Sequence, residues 1–210
     1  MGFDYLHYIK SFNITFIFIP RTASKSLRRF IGNNVDDALI IKNQLAHVNA
    51  QYVLDNKLVP KDSKFIGVIR DPLEKTLSSY FQMIQSKNSQ YSNVSFKDII
   101  KMNGGFAKKS TSPHTAQQHT FLEYKGNCVG DWWCYDYLQD HVHNFSEEYD
   151  IEVKSPLGHK HQTIKNEHTK DVMSFYYDDE TYKLVSDYYE KDIQLYNEVR
   201  EKWSLIYNEQ

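Results

Sequence analysis

Residues 14–31, with the sequence ITFIFIPRTASKSLRRFI, decide the fold. Residues 14–19 are apolar and β-branched or aromatic, which is typical of a short strand buried on both faces inside a parallel sheet. Pro20 ends this run, and small, hydroxylated and cationic residues follow it. Apolar residues then recur at helical spacing, at Leu27 and Phe30. The sequence therefore predicts a strand, a tight polar loop and a helix, in that order.

The predicted loop has the features of an anion site. A turn between a strand and a helix directs backbone N–H groups and the positive end of the helix toward one point, which favours phosphate or sulfate. The side chains of the loop add further hydrogen-bond donors, from Arg21, Thr22, Ser24, Lys25 and Ser26.

The loop matches the P-loop of nucleotide hydrolases and kinases, G-x-x-x-x-G-K-[ST], only at its end. Lys25 and Ser26 occupy the last two positions, but Ile19 and Ser24 stand where the two glycines belong. A divergent nucleotide kinase is therefore disfavoured, although a requirement for Mg²⁺ would restore it. Taken alone, the segment also fits an ordinary strand-to-helix turn of an α/β protein.

Composition and charge limit the possible classes of protein. A chain of 210 residues, 40% hydrophobic and 25% charged, can build one α/β domain but hardly two, so we expect a single domain over residues 1–210. A net charge of −2 argues against a general nucleic-acid binder. The chain has no apolar run of 18 residues and no signal-peptide pattern at its start, so we expect no membrane span and a cytoplasmic location. Cys128 and Cys134 should then be reduced thiols.

The remaining periodicities complete the predicted fold. Further strands are predicted at residues 38–41, 65–69 and 128–135, and helices at residues 72–86, 113–122, 136–149 and 178–206. Together they predict an α/β domain in which a central, mainly parallel sheet is flanked by helices. Ligands bind such sheets in the crevice at the carboxyl ends of the strands.

A second strand-to-helix junction follows the strand predicted at residues 65–69. It reads Arg70-Asp71-Pro72, and proline is favourable in the first turn of a helix because its missing N–H has no partner there anyway. Arg70 leaves the strand end, so its guanidinium can point into the crevice. Ser78 follows about two helical turns later and can reach the same crevice. A guanidinium and a hydroxyl make a suitable clamp for one phosphate monoester.

Both junctions resemble those of sulfotransferases. The sequence PRTASKSL of residues 20–27 resembles their 5′-phosphosulfate loop, Pro-Lys-Thr-Ala-(Gly/Ser)-Thr-Ser-(Leu/Phe). The sequence RDPLEKTLSSYF of residues 70–81 resembles their 3′-phosphate motif, Arg-(Asp/Asn)-Pro-x-x-Arg-x-x-Ser-x-Tyr-(Tyr/Phe). Residues 188–196, YYEKDIQLY, resemble their C-terminal helix, for which we expect a packing role. The resemblance is strongest to membrane-associated-type carbohydrate sulfotransferases, particularly the uronosyl 2-O-sulfotransferases.

This resemblance implies a P-loop-like sulfotransferase fold and an activity. The expected reaction moves a sulfuryl group from 3′-phosphoadenosine-5′-phosphosulfate (PAPS) to a hydroxyl acceptor, in line and without a metal, and the expected acceptor is a carbohydrate. The residues implied to bind the nucleotide are Arg21, Thr22, Ala23, Ser24, Lys25, Ser26, Leu27, Arg70 and Ser78. His47, in the sequence LAHVN, is the implied general base, with Arg21 and Lys25 assisting the transfer. Lys160 and Lys165 lie in a loop that the family places over the adenine and the 3′-phosphate.

Two positions depart from the family pattern. Arg21 replaces the lysine of the loop, and a guanidinium donates hydrogen bonds but does not give up a proton. Lys75 replaces the inner arginine of the second motif and would lose a bidentate fork if it contacted phosphate. A module that binds PAPS, or its desulfated product PAP, without catalysis is therefore a second hypothesis. The histidine pairs at 141 and 143 and at 159 and 161 have no further ligand at zinc spacing, so no metal site is expected.

Overall fold

A computed structural model describes residues 3–43, 47–85, 91, 93–102, 113–158 and 169–208. The strands, in chain order, are β1 (Phe3–Ile9), β2 (Ile14–Ile17), β3 (Ala38–Asn43), β4 (Lys64–Ile69), β5 (Glu123–Tyr124), β6 (Asn127–Cys128) and β7 (Gly130–Cys134). The helices are α1 (Ser24–Asn34), α2 (Ala50–Asp55), α3 (Pro72–Gln85), α4 (Phe96–Lys101), α5 (Leu138–Glu148), α6 (Thr169–Tyr176), α7 (Asp179–Tyr188) and α8 (Glu190–Asn208). Short 3₁₀ turns occur at His119–Leu122 and Tyr135–Tyr137.

A five-stranded sheet in the order β3-β1-β2-β4-β7 forms the centre of the molecule. The pairs β2–β4 and β4–β7 are parallel, whereas β1 is antiparallel to both β2 and β3. The sheet is therefore mixed, where the sequence predicted a mainly parallel one. The reason is β1, which had not been predicted and which forms a hairpin with β2 through a turn that holds Asn13 at φ 53°. The other four strands all run in one direction.

Helices cover both faces of the sheet, and this confirms the predicted α/β class. On one face, Leu27 and Phe30 of α1 and Phe145 of α5 pack on the buried residues of β2, β4 and β7. On the other face, Val53 of α2 and Val199 of α8 pack with the alternate residues of those strands. A third cluster joins α3, α4, α6 and α7 beside the sheet. Burial of each large apolar side chain contributes roughly 1.5–3 kcal/mol.

The single helix predicted over residues 178–206 is two helices. Asp178 caps α7, since its carboxylate accepts a hydrogen bond of 2.8 Å from the Thr181 N–H. The chain then breaks at Tyr189, whose side chain is fully buried and whose hydroxyl donates to the Thr115 carbonyl at 2.7 Å. Periodicity could not reveal this break because the apolar spacing continues through it.

The element ends determine where a site can lie. Because β2, β3, β4 and β7 run the same way, their carboxyl ends share one edge of the sheet. The chain leaves that edge toward Arg21, His47, Arg70 and Tyr135, respectively. Within the described ranges, no helix is both long enough and apolar enough to cross a membrane.

Candidate functional site

The loop after β2 has the backbone geometry of an anion cradle. Arg21 and Ala23 both have positive φ, 68° and 62°, and Thr22 lies between them with negative φ. Such alternation turns successive N–H groups toward one concavity. Ala23 is the N-cap of α1 and makes no side-chain capping bond. Left-handed geometry costs a non-glycine residue roughly 1–2 kcal/mol, so this loop is held in a strained shape that faces the crevice.

The loop side chains divide into two groups. Thr22 is buried and its hydroxyl donates to the Ile19 carbonyl at 2.9 Å, which closes the turn, while Ser24 and Ser26 are also largely buried. Lys25 is exposed at the start of α1. Leu27, by contrast, places its side chain in the core and donates its N–H to the Ala23 carbonyl at 3.0 Å. Neither the side chain nor the N–H of Leu27 therefore faces the loop.

Arg21 connects the two predicted phosphate motifs. Its Nε and Nη2 lie 3.0 and 2.6 Å from Ser78 Oγ, and its Nη1 donates to Gln82 Oε1 at 3.0 Å. Arg21 and Ser78 are 57 residues apart in the sequence. The structure thus brings the two motifs together as neighbours in one crevice, a contact that the motifs alone did not reveal.

Arg70 lies directly behind this loop. Its Nε and Nη2 donate to Glu74 Oε2 at 3.2 and 3.0 Å, and its Nη1 lies 3.3 Å from the Arg21 carbonyl oxygen. The guanidinium also stacks over the Tyr135 ring at 4.5 Å. Burial, and next the charge of Arg70, lower the pKa of Arg21. Glu74 balances the charge of Arg70, but the effect of Arg70 on the pKa of Arg21 shows that a bound anion would be favoured beside these two guanidinium groups.

His47 has the tautomer of a general base. Its Nδ1 lies 2.8 Å from the Phe18 carbonyl oxygen, which can only accept a hydrogen bond, so Nδ1 carries the proton and Nε2 keeps a lone pair. Burial lowers the pKa of His47, and the charges of Arg28 and Lys75 lower it further. The imidazole is therefore neutral near pH 7, as a proton acceptor must be.

A second histidine, which sequence reasoning missed, faces His47. The ring centroid of His114 is 5.5 Å from that of His47, with the planes at 79°. Burial lowers the pKa of His114 to about 4, helped by His47 and by the charges of Arg21, Lys75 and Lys25. The available signal was its place in residues 113–122, a predicted helix in the position where the sulfotransferases that the sequence resembles line their acceptor cleft.

Lys75 does not occupy a phosphate site in this structure. It is completely buried, and its ammonium donates to the carbonyls of Ala116 and His114 at 2.9 and 3.3 Å. It also lies 5.2 Å from the centre of the Tyr189 ring. Burial lowers its pKa to about 8, and the charge of Asp192 acts in the opposite direction. Where the family pattern has an arginine, this chain thus has a lysine whose ammonium binds the main chain of residues 113–119.

Asp192, in the C-terminal string, holds the same segment. This fully buried carboxylate accepts from the N–H groups of Gln118 and His119 at 2.6 and 2.9 Å. The side-chain amide of Gln118 in turn bonds to both main-chain groups of Arg70, at 3.1 and 2.9 Å. The string thus does more than pack, because it ties the segment at 113–119 to the second phosphate motif.

Three further residues were singled out in the sequence. Two of them, Lys160 and Lys165, lie outside the described residues, and the third is His141. His141 is a core residue: its Nε2 accepts from the Cys134 N–H at 2.9 Å and its ring stacks on Trp133. In the part of the chain that the structure describes, no three His, Cys, Asp or Glu side chains come together as a metal site would require.

Comparison with known proteins yields one match. Residues 6–197 match the model of the family described as the Sulfotransferase family. The match includes both phosphate motifs, His47, His114 and Asp192. No curated protein and no solved structure matched the chain.

Proposed function

Since the chain belongs to the sulfotransferase family, we propose that it transfers a sulfuryl group from PAPS to a hydroxyl acceptor of the carbohydrate class. One observation carries this proposal: Arg21 of the first motif is hydrogen-bonded to Ser78 of the second, so the two motifs are neighbours in one crevice. A nucleotide with a 5′-phosphosulfate and a 3′-phosphate needs such a pair. The carbohydrate acceptor and the uronosyl 2-O-like subtype rest on the resemblance of the motifs.

In the proposed complex, each group has a defined task. The N–H groups of residues 22–26 hold the 5′-phosphosulfate, and Arg70 with Ser78 holds the 3′-phosphate. This arrangement is the sulfotransferase version of a P-loop-like fold. The proposal treats residues 1–210 as one sulfotransferase-like domain, because the family match extends over most of them. The cytoplasmic location stays a prediction from the sequence.

The proposed reaction is a direct displacement at sulfur. The acceptor oxygen forms a bond to sulfur while the bond from sulfur to the 5′-phosphate oxygen breaks, and PAP leaves. The proton of the acceptor hydroxyl goes to Nε2 of His47, whose other nitrogen is held by the Phe18 carbonyl. The loop N–H groups, Arg21 and Lys25 stabilise the charge that develops on the leaving oxygen. Lys25, unlike Arg21, can also release a proton to it.

Calorimetric titration tests the nucleotide site. We expect the protein to bind PAP with a micromolar dissociation constant in the absence of metal, and ATP much more weakly. Arg70→Ala should weaken PAP binding roughly 10- to 100-fold, because it removes charge-assisted bonds to phosphate. Arg29→Ala is the matched control, since Arg29 is an exposed cation of α1. Absence of PAP binding would refute the proposal. A preference for Mg-ATP would also refute it, and would favour a divergent nucleotide kinase.

A second candidate, a PAPS-binding module without catalysis, has one observation in its favour. Arg21 replaces the family's lysine, and its guanidinium is engaged with Ser78 and Gln82. His47→Ala separates the candidates. For an enzyme, turnover should fall by on the order of 10²- to 10⁴-fold while PAP affinity stays within about twofold. If wild-type protein binds PAP but transfers no sulfuryl group from PAPS to any carbohydrate, the result favours the binding module without catalysis.

A further inference from the structure

We propose that His114 is a second histidine of the sulfuryl-transfer site, where it faces the acceptor opposite His47 as a neutral hydrogen-bonding group. This inference deepens the proposed function and rests on it. It assigns a second side chain to the acceptor side of the crevice, beside His47, which the resemblance of the sequence implies.

The rings of His47 and His114 lie next to each other. His47 follows β3 and His114 precedes the 3₁₀ turn His119–Leu122, so the two residues reach the site from separate elements. Their rings meet edge to face with centroids 5.5 Å apart. Because His47 Nδ1 is held by Phe18, its Nε2 is the nitrogen left for the acceptor proton. An acceptor hydroxyl close enough to bond this nitrogen comes within reach of the His114 ring.

The main chain of His114 is fixed from several sides. Its carbonyl accepts from Lys75 Nζ at 3.3 Å and from Ser79 Oγ at 3.1 Å. The next two carbonyls, of Thr115 and Ala116, accept from Tyr189 and Lys75 at 2.7 and 2.9 Å. A segment with three consecutive fixed carbonyls presents its side chain with little freedom, which suits a group that must orient a substrate.

The charges around His114 disfavour a proton on its ring. Among the described residues, the titratable groups that act on it are His47, Arg21 and Lys25 near the first loop and Lys75 on α3. All of them oppose a proton on its ring, so the ring stays neutral at the pH where His47 can act. A neutral imidazole offers one N–H and one lone pair. His114 can therefore bond a hydroxyl or a sulfuryl oxygen without competing with His47 for the transferred proton.

Imidazole NMR of the wild-type protein tests this without a known acceptor. PAP and PAPS differ only by the sulfuryl group, so the ring ¹⁵N shifts that change between the two complexes mark the transfer point. NOEs between the ring protons assign the neighbouring pair. We expect both His47 and His114 to shift, while the exposed His143 does not. A shift at His47 with none at His114 would overturn this inference alone. If neither nucleotide binds, the proposed function fails and the inference with it.

Kinetics of His114→Phe give a second, independent test with any carbohydrate that wild-type protein sulfates, because phenylalanine keeps a ring but forms no hydrogen bond through it. We expect the KM for the acceptor to rise roughly tenfold, the value of one lost hydrogen bond, with PAP affinity within about twofold. The acid limb of the pH profile should remain, because it belongs to His47. His143→Phe should change neither constant. An unchanged acceptor KM in His114→Phe, or a parallel loss of PAP affinity, would show a structural role only.

Discussion

We call residues 20–27 the nucleotide loop and residues 113–119 the acceptor segment, after the roles proposed for them. The two line the same crevice, but they are built in different ways. The loop is shaped by its own residues: two positive φ values, the Thr22 hydroxyl on Ile19, and the start of α1. The acceptor segment takes its shape from distant residues, namely Lys75 on α3 and Tyr189 and Asp192 near the start of α8. The shape of the nucleotide loop is thus mainly a local property of the chain, whereas the shape of the acceptor segment depends on tertiary structure.

The largest effect is expected when the buried carboxylate of Asp192, which holds the acceptor segment, is removed. In Asp192→Ala, the N–H groups of Gln118 and His119 lose their acceptor inside the core. We expect the free energy of unfolding to fall by roughly 3–5 kcal/mol. Urea denaturation measures this. The matched control is Asp187→Ala, since Asp187 is exposed and pairs with Lys183 across one helical turn, a bridge that contributes at most about 1 kcal/mol. Equal effects in the two variants would contradict the tie through Asp192.

Lys75 provides a test that depends on pH. Its pKa is about 8 in the folded protein and 10.5 ordinarily, so between these values the unfolded chain binds more protons. The penalty of its buried charge is full below about pH 8 and disappears as the pH rises toward 10.5. We therefore expect the stability of wild-type protein to rise relative to Lys75→Met by roughly 2 kcal/mol between about pH 7.5 and 9.5.

The pH series of denaturation curves needs a control for the other groups that titrate there. Lys183→Met serves, because Lys183 is an exposed lysine of α7. Its stability difference from wild-type protein should not change over this range. If the stability difference between wild-type protein and Lys75→Met is also constant over this range, the ammonium of Lys75 is hydrated in solution and does not hold His114.

The smallest effect is expected in the nucleotide loop. Ala23 has φ 62°, a value that glycine adopts without strain. Ala23→Gly should therefore stabilise the protein by about 1 kcal/mol or less, and thermal unfolding should show it. Ala50→Gly, in the first turn of α2, should destabilise it by a similar amount. If Ala23→Gly is destabilising as well, the loop does not store the strain that its backbone angles indicate.

This contrast also explains how far the sequence could predict the molecule. Strand β2, the loop after it and the junction at Arg70 follow from neighbouring residues, and the sequence predicted them, although β2 ends at Ile17 and not at residue 19. The position of Lys75 was noticed, but its partners are carbonyls near residue 115, which no local pattern can identify. His114 was missed for the same reason. β1 went unpredicted because its polar histidine, His7, is buried and interrupts the apolar alternation.

The direction of β1 has a consequence for the crevice. Two strand spacings, about 10 Å, separate the carboxyl ends of β2 and β3, because β1 lies between them. The bond from His47 to Phe18 therefore crosses the end of the sheet at which β1 begins. Since β1 runs against its neighbours, its beginning and the carboxyl ends of β2 and β3 lie at the same end of the sheet. The strand that the sequence did not predict thus sets the distance that the His47–Phe18 bond has to bridge.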